Sequence, residues 1–209
     1  MAIGPLIRRM FGRYERQISE AYRSIYIDID KFIEQVRRWC PDPKTILEVG
    51  CGEGVVSERL RGAFPCAALT AIDVTARIGR LYRGPRDAVR FVRCEVQQIA
   101  ASNPAGFDLV VLCDVLHHVP HESRHALLAS IRQTLAPGGA LIFKDGERTT
   151  RPIHWLCYAS DRWLTGDKIS FMTREEMREH LVAVFGQGAL VAETRIRPHW
   201  SNLAALVRL

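Results

Sequence analysis

Residues Thr45–Ser57 read TILEVGCGEGVVS. An apolar run of strand length, Thr45–Gly50, enters three glycines at alternate positions, Gly50, Gly52 and Gly54, and a helical pattern over Val55–Ala63 begins at once. Glycines at these positions let the backbone turn tightly and let a ligand come close where a Cβ would clash. The first amides of the following helix then face that ligand. Nineteen residues beyond Gly54, a second apolar run, Ala67–Asp73, ends on an acid. An acid there is placed to accept hydrogen bonds from two ribose hydroxyls at the edge of a doubly wound sheet. A dinucleotide fingerprint, G-x-G-x-x-G, would need glycine at position 55, where this chain has Val55.

Outward from this motif, strand candidates Val89–Arg93, Phe107–Cys113 and Ala140–Lys144 alternate with helical patterns. These patterns are a short stretch after Val74, then Gln97–Ala101 and His121–Ala136, the last ended by Pro137-Gly138-Gly139. Apolar strands alternating with helices predict an α/β fold, a mostly parallel sheet covered on both faces. Upstream, the apolar positions Ile18, Tyr22, Ile25, Ile29, Phe32, Val36 and Trp39 make one helical stripe that Pro41 and Pro43 stop. Downstream, residues Asp145–Met172 lack a clean period but hold Trp155, Tyr158, Trp163 and Phe171. A helix over Thr173–Phe185 follows, with Thr173 as N-cap and Glu176 completing a capping box. The last two strands, Ala189–Ile196 and Asn202–Leu209, are expected to pair antiparallel at one sheet edge. One domain thus comprises a helical arm (1–40), a ligand-binding core (41–144), an aromatic-bearing insertion (145–172) and a terminal unit (173–209).

Composition narrows the class. The chain has 209 residues, 47% apolar and 25% charged, an ordinary globular balance. No apolar run approaches the roughly 18 residues of a membrane span, and Arg8 and Arg9 interrupt the N-terminal start too early for a secretory signal. A cytoplasmic protein is expected. Six cysteines without C-x-x-C spacing argue against a structural metal, and none is expected. The formal charge of +6 reads as a solvated basic exterior of dispersed arginines. The exception is residues 1–16, where Arg8, Arg9, Arg13 and Arg16 interleave with Leu6, Ile7, Met10 and Phe11. That segment reads as an arm over the site, with peripheral contact to an anionic membrane as the other reading.

The motifs resemble those of class I S-adenosylmethionine-dependent methyltransferases, over roughly residues 45 to 145. LEVGCGEG is similar to the family's first motif, an acid (here Glu48) followed by G-x-G-x-G, and Asp73 matches its second-strand acid. Glu95 and Val96, in FVRCEV, correspond to the residues near adenine, and Cys113 and Asp114 to the backbone that meets the methionine part. Leu135-Ala136-Pro137-Gly138-Gly139 matches the L-x-P-G-G turn. The resemblance implies a Rossmann-like seven-stranded sheet with its last strand antiparallel, and an N-terminal helix and a 145–172 insertion that cap the substrate site. It also implies S-adenosylmethionine bound by Glu48, Gly50, Cys51, Gly52, Gly54, Asp73, Glu95, Val96, Cys113 and Asp114.

The acceptor follows by exclusion and analogy. The fourth strand ends CDVL rather than the [DN]-P-P-[YF] used on exocyclic base amines, which argues against nucleic acid. Paired glutamates that would clamp a guanidinium are absent around Cys113–Pro120. A small, partly apolar acceptor remains, lipid-like, quinone-like or polyketide-like, and V-L-H-H-V-P is similar to enzymes of such pathways. His117 and His118, at the strand's C-terminal end, are the candidate general bases for a hydroxyl acceptor. His154, Trp155, Tyr158 and Trp163 are candidate substrate contacts. The alternatives are an RNA- or protein-modifying methyltransferase and a non-catalytic cofactor-binding partner protein. Oligomeric state is not legible.

Overall fold

The computed structural model describes residues 27–150 and 169–209. Its strands are β1 (Thr45–Val49), β2 (Ala68–Asp73), β3 (Arg90–Arg93), β4 (Phe107–Cys113), β5 (Leu135–Gly146), β6 (Leu190–Ile196) and β7 (Asn202–Arg208). They form one sheet in the order β3-β2-β1-β4-β5-β7-β6. β1 to β5 are parallel, and β7 enters antiparallel between β5 and β6. The helices among the described residues are α1 (Ile29–Trp39), α2 (Val55–Ala63), α3 (Val96–Ser102), α4 (His121–Thr134) and α5 (Arg174–Phe185).

The period of two in the strands divides the core into two layers. Leu47, Val110, Leu112, Leu141 and Phe143 face one side and pack with Leu128 and Ile131 of α4 and Met177 and Leu181 of α5. Their neighbours Ile46, Leu109, Val111 and Ile142 face the other side, against Phe32 and Val36 of α1 and Leu60 of α2. Strands buried on both faces carry no polar side, which explains their continuous apolar character. Asp108 ties the start of β1 to β4, its Oδ2 accepting the N–H of Lys44 and Thr45 at 2.8 and 3.0 Å.

Several boundaries differ from the sequence expectation. The stripe from Ile18 to Trp39 is not one continuous helix. Asp28 is extended (φ −86°, ψ 93°) and its carboxylate accepts the Lys31 N–H at 2.9 Å, so α1 starts at Ile29. The upstream part of that stripe lies outside the described residues. α4 ends at Thr134 rather than at the Pro-Gly-Gly turn, because Leu135 is already extended and pairs with Phe107. No α-helix follows Val74; turns and a single 3₁₀ turn at Arg86–Ala88 connect β2 to β3. β5 continues through Asp145 to Gly146, so Asp145 lies on the sheet rather than in the irregular insertion. The terminal strand pair and the capping box at Thr173 and Glu176 are present as read.

Candidate active site

The glycine loop joins β1 to α2 at the C-terminal edge of the sheet. Gly50, Gly52 and Gly54 all have positive φ (76°, 52° and 92°). A Cβ on Gly50 would lie 2.2 Å from Val115 Cγ2, so close approach as well as φ demands glycine there. A Cβ on Gly52 would meet nothing within 4 Å, because that position opens outward. The N–H groups of Gly50 and Cys51 both donate to Ile72 O, at 2.8 and 3.0 Å, fixing the loop to β2.

Asp73 ends β2 beside this loop. Its Oδ2 accepts the Gly52 N–H at 2.7 Å and its Oδ1 accepts the Thr75 N–H at 2.8 Å. A carboxylate offers about four lone-pair sites. The half-buried Asp73 therefore keeps capacity for two more donors, which fits a ribose diol. The open face of Gly52 provides the space beside it. Val74, next in sequence and 64% exposed, offers an apolar surface on the same rim. Sequence reasoning missed Val74, since a single apolar residue after an acid carries no periodic signal.

Glu48 lies beneath the loop. It is 2% exposed and accepts the Ser57 O–H at 2.5 Å. Burial pushes its carboxyl up to about 7, against the Ser57 hydrogen bond, and nearby Asp73 adds to the rise. Cys51 and Cys113 flank the loop and the end of β4, and burial raises both thiols. Both are poor nucleophiles for that reason. Glu95 is exposed and caps α3, its N–H donating to Gln98 Oε1 at 3.0 Å, while Val96 is buried.

A second cluster sits where β4 and β5 end. Asp114 has φ 55° and donates its N–H to Lys144 O at 2.9 Å. The Lys144 ammonium, buried, bonds both Asp114 oxygens at 2.6 and 2.7 Å. Burial alone would lower the Lys144 pKa, but Asp114, Cys113 and Asp145 outweigh it and hold the pKa above its ordinary value. Fully buried Asp145 accepts the N–H of His117 at 3.1 Å and of Gly146 at 2.7 Å, and contacts His117 Nδ1 at 2.5 Å. Burial raises the Asp145 carboxyl, yet His117, Lys144 and the Gly146 N–H prevail and keep it below the usual range.

His117 is buried between the rings of His118 (centroids 4.1 Å apart) and Phe171 (4.7 Å). His118 is exposed. The structure thus separates two histidines that the sequence left level. Residues 169–172 are strapped to this point. Ser170 N–H donates to His117 O at 2.8 Å, and buried Arg124 donates to Ser170 O at 2.7 Å. Asp145, Lys144 and Arg124 were not legible as site residues, because their partners lie 28 to 46 positions away in sequence. Asp114, His117 and Asp145 bring ligand atoms within 4.8 Å of one another, but Lys144 already supplies the positive charge such a triad would hold. His154, Trp155, Tyr158, Trp163 and residues 1–16 lie outside the described residues.

A sheet in this order, with its glycine loop after β1 and its acid at the end of β2, defines the Rossmann-like class I methyltransferase fold. The family model described as a methyltransferase domain matches residues 14–184. The ubiquinone biosynthesis O-methyltransferase of Azotobacter vinelandii is 32% identical over 114 residues, 52% of this chain and 47% of the relative. The chain spans about half the length of the curated relatives it matches. Among solved structures, the PH0226 protein of Pyrococcus horikoshii OT3 superposes with a TM-score of 0.72 at 16% identity, covering 97% of both chains. The 1,6-didemethyltoxoflavin-N1-methyltransferase of Burkholderia thailandensis, solved with S-adenosylhomocysteine, gives 0.67 at 18% identity, covering 98% of this chain and 87% of that one. The chain belongs to the methyltransferase domain family, as a class I S-adenosylmethionine-dependent member.

Proposed function

We propose that the chain moves the methyl group of S-adenosylmethionine onto an oxygen, nitrogen or carbon of a small, partly apolar molecule. The carrying observation is the Asp73 carboxylate, held by Gly52 and Thr75 with two acceptor sites left over. The cofactor supplies an electrophilic methyl on a sulfonium, so the protein's work is binding, orientation and exclusion of water. Asp73 grips the ribose, Val74 lies against the base, and the open side of Gly52 admits the chain that links them to the methionine part. For a hydroxyl acceptor, His117 is the proton acceptor. Asp145 holds its Nδ1, which leaves Nε2 as the basic atom. Lys144 holds Asp114 at the mouth of the same site. Relatives named for ubiquinone biosynthesis support a quinol-like or phenolic acceptor.

Isothermal titration with S-adenosylhomocysteine tests the cofactor reading. Asp73→Ala removes at least two charge-assisted hydrogen bonds, each worth roughly 1.5–3 kcal/mol. Affinity is expected to fall on the order of a hundredfold or more; unchanged affinity removes the ribose assignment. Incubation with methyl-deuterated cofactor and a panel of phenols and quinols, read by mass spectrometry, tests the acceptor. Label that enters RNA or protein and none of the panel would sink the small-molecule reading.

A further inference from the structure

The connection from β2 to β3 carries charge that the cofactor site does not use. Between positions 77 and 93 stand Arg77, Arg80, Arg83, Arg86, Arg90 and Arg93, with Asp87 the single acid and no lysine. This segment therefore holds +5 of the chain's formal +6. All six arginines are exposed. Two are committed locally, Arg80 to Glu53 at 2.9 Å and Arg93, whose Nε donates to Val74 O at 3.0 Å. Arg77, Arg83, Arg86 and Arg90 have no ion pair among the described residues. Charged side chains commonly guard an edge strand such as β3. That accounts for Arg90 and Arg93, and leaves the arginines of the irregular stretch unexplained.

Position gives them a purpose. Gly79 N–H donates to Gly52 O at 3.0 Å and Leu81 N–H to Glu53 O at 2.7 Å, so the segment's first half forms a wall of the glycine loop. Arg77 and Arg80 therefore stand beside that loop and near exposed Val74, while Arg83, Arg86 and Arg90 follow the connection down to the start of β3, where Arg90 lies opposite Thr70. Partner classes differ in what else they require. Single-stranded nucleic acid needs exposed aromatic rings for stacking. The segment's one aromatic before β3, Tyr82, instead packs edge-on against Phe91, centroids 5.3 Å apart. A rigid protein interface centres on buried aromatic or apolar anchors, and Val74 is the sole large exposed apolar residue here. A fluid layer of anionic headgroups asks only for unpaired cations and adapts to irregular spacing.

We infer that the arginine segment of residues 77–93 is a docking surface for an anionic phospholipid bilayer, with its Arg77 end beside the glycine loop. Its purpose rests on the proposed apolar acceptor, which a membrane would concentrate. The docking itself does not, and flotation reads it without any transfer.

The full chain is floated with vesicles of phosphatidylcholine alone and of phosphatidylcholine with about one-third phosphatidylglycerol. It is expected to rise with the anionic vesicles only, and to be released by high salt. Each arginine near such a surface contributes about 1 kcal/mol. The variant R77Q/R83Q/R86Q/R90Q should therefore partition on the order of a thousandfold more weakly. R83Q/R86Q, a milder change, should lose on the order of thirtyfold. Unaltered S-adenosylhomocysteine binding by both variants verifies that they fold. A full chain that stays unbound overturns the proposal, as do variants that float like the parent, which would place binding elsewhere in the chain. Tighter capture of a duplex RNA than of anionic vesicles, lost in the same variants, overturns the choice of a lipid partner.

Discussion

Replacing Glu48 with glutamine tests the electrostatics beneath the glycine loop. Glu48 is 2% exposed, and burial moves its carboxyl from an ordinary 4.5 up to about 7. Between those pH values the folded protein keeps a proton that the unfolded chain releases. Stability therefore falls as pH rises through this window and levels off above about pH 7. At about 1.4 kcal/mol per pH unit, ionising Glu48 in the folded state costs about 3 kcal/mol. Glutamine keeps an oxygen for the Ser57 hydroxyl but does not titrate. The assay is urea unfolding of both proteins at fixed ionic strength from pH 4.5 to 8, with free energies from linear extrapolation. Every other titrating group is common to the two proteins, so the difference isolates position 48. Stability of Glu48→Gln relative to the parent should climb by about 3 kcal/mol across the range. A difference that stays flat, or climbs toward acid, refutes the reasoning.

Further outcomes follow from the same geometry. Gly50→Ala should cost roughly 2–4 kcal/mol in urea unfolding, since its Cβ meets Val115 and its φ is positive; Val115→Ala in the same chain should recover part of it. Gly52→Ala has open space, so its cost should stay near 1–2 kcal/mol, while S-adenosylhomocysteine affinity drops roughly tenfold or more in titration. The Lys144–Asp114 pair should respond asymmetrically to mutation. Asp114→Ala strands a buried ammonium and should cost roughly 3–5 kcal/mol. Lys144→Met fills the space and leaves Asp114, whose side chain is 38% exposed, free to hydrate, so its cost should be under about 2 kcal/mol. Equal costs would contradict the burial argument. With a hydroxyl acceptor in hand, His117→Ala should slow single-turnover transfer roughly 10²–10⁴-fold. Asp145→Asn should slow it too, by offering an amide where the imidazole needs a carboxylate; undiminished rates in both would remove the base.

Local patterning was legible where one segment contains both signal and cause. The glycine loop, the acid ending β2 and the capping box of α5 each rest on residues a few positions apart or on one strand's apolar run. Boundaries were harder. The stripe through Ile18 and Trp39 continues in register past Asp28, but a side-chain hydrogen bond to Lys31 N–H starts the helix there. Leu135 reads as the end of a helix, but pairing with Phe107 makes it strand. The basic residues read as dispersed along the chain, although six exposed arginines fall within the seventeen residues from Arg77 to Arg93, four in the connection and two on β3.

The amino-acid sequence alone determined the parallel α/β core, the glycine loop and the family, because apolar period and glycine placement are properties of short windows. Tertiary structure alone decided which histidine is held and by what. Asp145 meets His117, and Lys144 meets Asp114, only because β4 and β5 lie side by side with Cys113 opposite Lys144. Sheet register places side chains some thirty positions apart within hydrogen-bond reach in a site where burial makes an unpaired charge costly.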